Sequence, residues 1–127
     1  MKKIIETKNA PAPLGPYSQA VLINNILYAS GQIAIDPKSG NLITNNISDE
    51  TEQVMQNLKA VLTEAKMNFD DVVKATIFIS DMDDFVAINT VYGSYFNEAI
   101  APARETVQVA KLPKNVNVEI SVIAIKE

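Results

Sequence analysis

The sequence predicts an α+β fold, a two-layer sandwich with two helices on one face of a mainly antiparallel sheet. Three observations predict it. Ala20–Ile23 and Ile26–Ser30 flank Asn24-Asn25 in the pattern of a β-hairpin. A long amphipathic stripe follows, with Val54, Leu58, Val61, Leu62 and Ala65 at i, i+4, i+7, i+8 and i+11. β-Branched runs at Val72–Ser80 and Val116–Ile125 then bracket a second helical segment. At 127 residues, 47% hydrophobic and 20% charged, the chain has the size and composition of one domain spanning residues 1–127.

In chain order, Lys3–Glu6 reads as a short edge strand. Asn9–Pro16 (NAPAPLGP) is too rich in proline for a helix and reads as a stiff extended loop. The Asn24-Asn25 turn suits type I′ geometry, because Asn tolerates positive φ. Gly31 ends the hairpin's second strand, and Asp36–Gly40 forms a further turn. The first helix is predicted over Glu50–Lys66, with Asp49 as N-cap, Glu52 completing a box-like pattern and Asn68 as the stop. Val72–Ser80 is a central strand. Asp83 caps a second helix running to about Phe96, and Pro102 prevents its continuation. Ala103–Ala110 and Val116–Ile125 are the last strands, expected to pair as an antiparallel hairpin around Lys111–Asn115.

The chain contains no Cys, His or Trp. Disulfides, a Cys nucleophile, a Ser-His-Asp triad and His/Cys zinc sites are therefore excluded. Any catalysis falls to carboxylates, Arg, Lys, Tyr, hydroxyls, backbone groups or water. Eleven Lys and Arg against fifteen Asp and Glu give a charge of −4. That is the opposite balance to a phosphate-backbone binder, so nucleic acid is not the expected partner. No apolar stretch of signal-peptide length follows Lys2-Lys3, and no segment nears the roughly 20 apolar residues of a membrane helix. The expectation is a cytoplasmic protein without a membrane partner.

The acidic residues Asp70, Asp71, Asp81, Asp83 and Asp84 all lie where a helix starts or a turn breaks, so capping accounts for them without a metal. Asn89 sits inside the stripe Phe85, Ile88, Tyr92, Tyr95 and Phe96. It either bonds a neighbouring backbone in the core or points into a pocket. In the expected hairpin, Thr106 lies near Glu119 and Arg104 near Ser121, so one sheet face presents all four side chains. Spacing leaves two readings open: a structural salt bridge on a solvated face, or a binding surface. The uncovered sheet face, with Val107 and Val109 on its strands, calls for burial. Closed symmetric assembly would supply it.

Six ordered blocks carry a resemblance across essentially the whole chain. They are Ala12–Gln19 (APLGPYSQ), Leu27–Ile33 (LYASGQI), Asn57–Leu62 (NLKAVL), Phe85–Tyr92 (FVAINTVY), Pro102-Ala103-Arg104, and Val107–Pro113 (VQVAKLP) followed by Val118-Glu119-Ile120. With these, the sequence resembles the reactive intermediate deaminase (RidA/YjgF) family. The resemblance implies a chorismate-mutase-like α+β fold and a homotrimer with active sites in clefts between subunits. It also implies hydrolysis of 2-imino acids such as 2-iminobutanoate and 2-iminopropanoate, or their enamines, to 2-keto acids and ammonium. Matched by motif, Arg104 holds the substrate carboxylate and Glu119 the attacking water. Tyr17, Ser30, Gly31 and Asn89 line the pocket, and the backbone at Thr106 contacts the reacting end.

The family often has Cys where this chain has Thr106 and a small residue where it has Glu105. A thiol is therefore not expected to be needed, and strand parity turns Glu105 away from Arg104 toward subunit contacts. A protonated imine is already electrophilic, so no metal and no cofactor is expected. Arginine's planar fork suits a carboxylate, and a carboxylate beside water is a competent base. Set near Arg104, Glu119 is expected to be ionised before substrate binds. The alternative is a non-enzymatic trimeric module that binds small carboxylates or partner proteins. It needs Arg104 but not Glu119. Ribonuclease or translation-inhibitor activity, attached to relatives of the family, fits the charge balance least.

Overall fold

Hydrophobic alternation decides which strands take the middle of the sheet. The computed structural model describes residues 1–127 and contains six strands and two α-helices. They are β1 (Lys3–Ile5), β2 (Ala20–Ile23), β3 (Ile26–Gln32), α1 (Ile47–Glu64), β4 (Val72–Ile79), α2 (Phe85–Gly93), β5 (Ala103–Gln108) and β6 (Val118–Ile125). The sheet order is β1-β2-β3-β6-β4-β5, with β4 and β5 parallel and every other pair antiparallel. In β4, buried Ala75, Ile77 and Ile79 alternate with Thr76 and Phe78; in β6, buried Val118, Ile120, Val122 and Ala124 alternate with Glu119, Ser121 and Ile123. These two strands pair with each other in the interior of the sheet. β5 has no fully buried residue and takes the edge.

The expected β5–β6 hairpin is therefore not formed. Residues 109–117 carry the chain across the end of β4: Val109 donates its N–H to the Ile79 carbonyl at 2.9 Å, and Ser80 donates to the Asn117 carbonyl at 3.0 Å. The physical reason is burial. β6 has a complete apolar face that gains from neighbours on both sides, whereas ARETVQ has little to offer an interior position.

The first hairpin forms as expected, with Asn24 and Asn25 at φ 47° and 67°. β3 runs one residue past Gly31 to Gln32, and its register against β6 shifts between Ala29 and Gln32. α1 starts one turn before the predicted position. Asn46, not Asp49, is the N-cap, and its side chain accepts the Asp49 N–H at 2.8 Å. Asp49 instead sits in the first turn, where negative charge suits the helix dipole. Asn68 does not end the helix either. Lys66 takes the left-handed position (φ 59°), and Met67 N–H reaches the Leu62 carbonyl at 2.9 Å in a Schellman-type closure that buries Met67. Asn68 caps the following short turn, Phe69–Asp71.

Ahead of α2, Asp81 rather than Asp83 accepts the capping N–H, that of Asp83 itself, at 2.9 Å. The α-helix closes at Gly93, short of Phe96. Tyr95 and Phe96 continue in tighter turns, bonding the carbonyls of Tyr92 and Gly93. They still pack inward, with the Phe96 ring 4.6 Å from Tyr92 and 5.3 Å from Phe69.

Both helices lie on one sheet face. Val54, Leu58, Val61 and Leu62 of α1 and Ile88 of α2 meet Leu27, Ile77 and Ile120 in the core. The other sheet face is open and mixed, with exposed Tyr28 and Val107 and half-buried Phe78 and Ile123 among polar Thr76, Ser121 and the Lys74–Glu105 pair. No helix is long and apolar enough to cross a membrane.

Candidate active site

Residue pairing across the sheet sorts the predicted site residues into two groups. Arg104 pairs with Ala75 and Thr106 with Ile77, so both point to the helix-covered side. Glu119 pairs with Phe78, which pairs in turn with Val107, so Glu119 faces the open side. The single face carrying Arg104, Thr106, Glu119 and Ser121 is corrected accordingly. With β4 between β5 and β6, strand parity puts the first two and the last two on opposite sides.

On the helix side, the Arg104 guanidinium donates from Nη1 to Asn89 Oδ1 at 2.6 Å. It lies 5.1 Å from the Tyr92 ring centre and 5.7 Å from that of Phe85. Asn89 is exposed and lines a pocket, the second of the two readings open to it, rather than bonding a backbone group in the core. Its carbonyl orients the arginine at the rim of a cleft of about 700 Å³ walled by Tyr92, Phe96 and Pro102. No carboxylate lies within ion-pair distance of Arg104, whose remaining N–H groups stay free for an anion. Burial raises the Tyr92 phenol, partly opposed by the positive charge of Arg104. The Tyr92 and Thr106 hydroxyls are both buried without a hydrogen-bond partner.

On the open side, Glu119 lines a second cleft of about 510 Å³ together with Leu14, Tyr17, Ser30, Gly31, Pro113 and Lys114. Burial raises the Glu119 carboxyl above its ordinary value of 4.5, and no cation lies within ion-pair distance to offset it. The expected support of Glu119 by Arg104 is not formed within one chain. Ser30 is committed to the scaffold, its hydroxyl donating to the Ser18 carbonyl at 2.6 Å and its N–H to Gln19 at 2.9 Å. Tyr17 is exposed.

Gln19 enters the sequence reading only as part of a motif, yet it fastens the loop that carries this wall. Almost fully buried, it accepts the Thr7 N–H at 2.7 Å and donates to the carbonyls of Thr7, Ala10 and Pro11. A polar residue next to a proline-rich stretch is the available signal, since extended loops have carbonyls to satisfy. Glu105 faces away from Arg104 as parity requires, and it pairs with Lys74 at 2.7 Å. Of the acidic residues, Asp71 and Asp81 make capping bonds, while Asp70, Asp83 and Asp84 sit in first turns without one.

Gly31 touches Glu119 so closely that a Cβ there would stand 2.5 Å from Oε2 and 2.9 Å from Cγ. Gly31→Ala is expected to displace the carboxylate, the movable partner, rather than the strand. Any activity that depends on Glu119 should drop by about tenfold or more, while the destabilisation stays within the roughly 1–3 kcal/mol typical of overpacking. Paired activity and urea-unfolding measurements check this; a Gly31→Ala variant with full activity would show that the contact does not set the carboxylate's position.

The molecule is thus an α+β sandwich with an unpaired, oriented guanidinium on one side of its sheet and a raised carboxylate on the other. Residues 7–126 match the family described as endoribonuclease L-PSP. The 2-iminobutanoate/2-iminopropanoate deaminase of Bos taurus is 45% identical over 126 residues, covering 99% of this chain and 91% of the bovine one. The solved structure of YyfA from Yersinia pestis, described as a protein of the conserved Rid family, matches with a TM-score of 0.96 and 51% identity over 99% of this chain and 100% of that one. TdcF of E. coli, solved with bound serine, matches with a TM-score of 0.92 and 41% identity over 98% and 99% of the two chains. The chain belongs to this endoribonuclease L-PSP family, also called YjgF/RidA.

Proposed function

We propose that this protein hydrolyses reactive 2-imino acids and their enamine tautomers to 2-keto acids and ammonium, in the cytoplasm, as a homotrimer with sites between subunits. The observation that carries the reading is the split site. An arginine with no carboxylate in ion-pair contact and a carboxylate with no cation in ion-pair contact lie on opposite sides of one sheet, Glu98 and Lys114 in their clefts staying outside that distance. Assembly through the open face would bring the Glu119 side of one subunit to the Arg104 side of its neighbour. Burial of Tyr28, Phe78 and Val107 favours such an assembly. The name of the bovine relative supports the substrate class, and serine bound to TdcF is consistent with a carboxylate-holding cleft.

In this mechanism Arg104 grips the substrate carboxylate through two parallel N–H donors while Asn89 holds the guanidinium from behind. The iminium carbon next to that carboxylate then faces Glu119 across the interface. Glu119 takes a proton from water as the oxygen attacks C2, giving a carbinolamine. Return of that proton to nitrogen expels ammonia; Glu119 then takes the hydroxyl proton as the C2 oxygen becomes the keto group and passes it to the ammonia, which leaves as ammonium. The backbone at Thr106 contacts the reacting end. The chain's own groups suffice because the iminium carbon is electrophilic before it binds.

A second reading, a trimeric module that binds small carboxylates without turnover, is favoured by the serine in TdcF. One experiment separates the two. An amino-acid oxidase generates 2-iminopropanoate, and its disappearance is followed with and without the protein, with light scattering on the same sample. Faster loss of imine together with a trimeric mass supports the proposal. Saturable binding of pyruvate with unchanged imine lifetime supports the binding module, and a monomeric mass overturns the shared site.

A further inference from the structure

Glu50 belongs to neither half-site, yet its carboxylate is completely withdrawn from solvent in the first turn of α1. Its Oε2 accepts the backbone N–H of Asn117 at 2.7 Å and of Val118 at 3.2 Å, and Oε1 accepts Asn117 Nδ2 at 2.7 Å. Buried carboxylates persist where donors replace lost water, and here two backbone amides and one side-chain amide do so beside a helix N-terminus. What these bonds hold is the entry to β6, and the residue after Val118 is Glu119.

Upstream of that entry the backbone is strained. Lys114, a side chain that rarely takes positive φ, lies in the left-handed region at φ 56°, followed there by the more tolerant Asn115 at 55°. Such conformations persist only where the surroundings over-determine them. Pro113 and Lys114 form part of the wall of the cleft that Glu119 lines. From the other side Ser80 holds Asn117, donating its N–H to the Asn117 carbonyl at 3.0 Å and its hydroxyl to Oδ1 at 3.3 Å. The strained turn is thus clamped at its downstream end between α1 and the end of β4.

We propose that Glu50 is a positioning residue whose carboxylate fixes where the Lys114-Asn115 turn enters β6, and so holds Glu119 and the Pro113–Lys114 wall in the cleft. Its bearing on turnover rests on the reading of Glu119 as the base; its bearing on where Glu119 sits does not. Glu50→Leu keeps the burial and removes all three acceptor contacts. Glu50→Gln keeps a carbonyl for the two backbone amides but presents an NH₂ group to Asn117 Nδ2.

The test combines two readouts on the full-length protein. The first is the Glu119 titration followed by carbon NMR of labelled glutamate carboxyls, assigned with Glu119→Gln. The second is kcat and KM on 2-iminopropanoate. Val61→Ala, a core change on the same helix, serves as the control for general destabilisation.

In Glu50→Leu the Glu119 midpoint should fall toward the ordinary carboxylate value as water enters. Here kcat should drop about tenfold or more with KM within about threefold, because the base has moved while the carboxylate anchor has not. Glu50→Gln should lie between Glu50→Leu and wild type, and Val61→Ala should move neither readout. If Glu50→Leu does not fold, Glu50→Gln carries the same comparison. A folded Glu50 variant with an unchanged Glu119 titration overturns the proposal. A wild-type protein inactive on imines would overturn the functional reading, while the titration would still decide the role of Glu50.

Discussion

Arg104→Ala is expected to lower kcat/KM for 2-iminopropanoate by about 10³-fold while leaving the fold intact. The size follows from removing a charge-assisted, two-pronged hydrogen bond to a desolvated carboxylate, typically worth about 2–5 kcal/mol when one partner is truncated. The fold should survive because Arg104 is exposed on an edge strand and its only side-chain hydrogen bond goes to Asn89. Arg104→Lys keeps the charge but not the fork. An ammonium cannot bond Asn89 and also offer two parallel donors to a carboxylate, so it should recover only a small part of the loss. Steady-state kinetics and a thermal melt on each variant check this. Near-normal turnover in Arg104→Ala would remove the anchor role.

The second large effect falls on kcat. Glu119→Gln keeps the shape and can still hold a water, but it cannot take the proton. Loss of about 10²-fold or more in kcat, with KM within a few-fold, is the pattern of an interaction made in the transition state. Acidity gives an independent check. Burial within one subunit raises the Glu119 carboxyl above its ordinary 4.5, and a substrate carboxylate on Arg104 offsets that cation in the assembled site, so wild-type activity should climb with pH as this carboxyl ionises. The folded state holds this proton more tightly than the unfolded chain does. Glu119 therefore contributes its stability below the unfolded-chain value and loses that contribution as pH rises through the folded one. Activity and stability run in opposite directions across that window. In Glu119→Gln the activity rise should vanish and the stability curve should lose this one contribution, which pH-rate profiles and urea midpoints compared with wild type would detect.

Local structure was legible where one residue type settled the geometry. Asn24-Asn25 fixed the hairpin because both positions need positive φ, and the Val54-to-Leu62 stripe fixed α1 because no other period buries those residues together. Helix ends were less legible. Asn46, Asp49 and Asn68 are all good caps in isolation, and only the packing of Ile47 and Met67 against the core chose among the possible ends. The pairing that departs from sequence order is non-local: β5 and β6 are adjacent in sequence, but the complete apolar face of β6 belongs in the interior, with β4 between them. The weakly apolar ARETVQ and a long connection over 109–117 were the warnings. The site residues were recognised through their motifs. Their division between two sides of the sheet was hidden because it depends on which strand lies between β5 and β6.

That division separates the loss of a function from the loss of a gene product. If each site draws its guanidinium from one subunit and its carboxylate from the next, two crippled chains can repair one another. Arg104→Ala and Glu119→Gln subunits, denatured and refolded together in equal amounts, would re-form about one intact site in four under random closed assembly. Neither pure variant could do so. In a cell carrying both alleles, two recessive lesions in one gene would then complement, as lesions in separate genes ordinarily do.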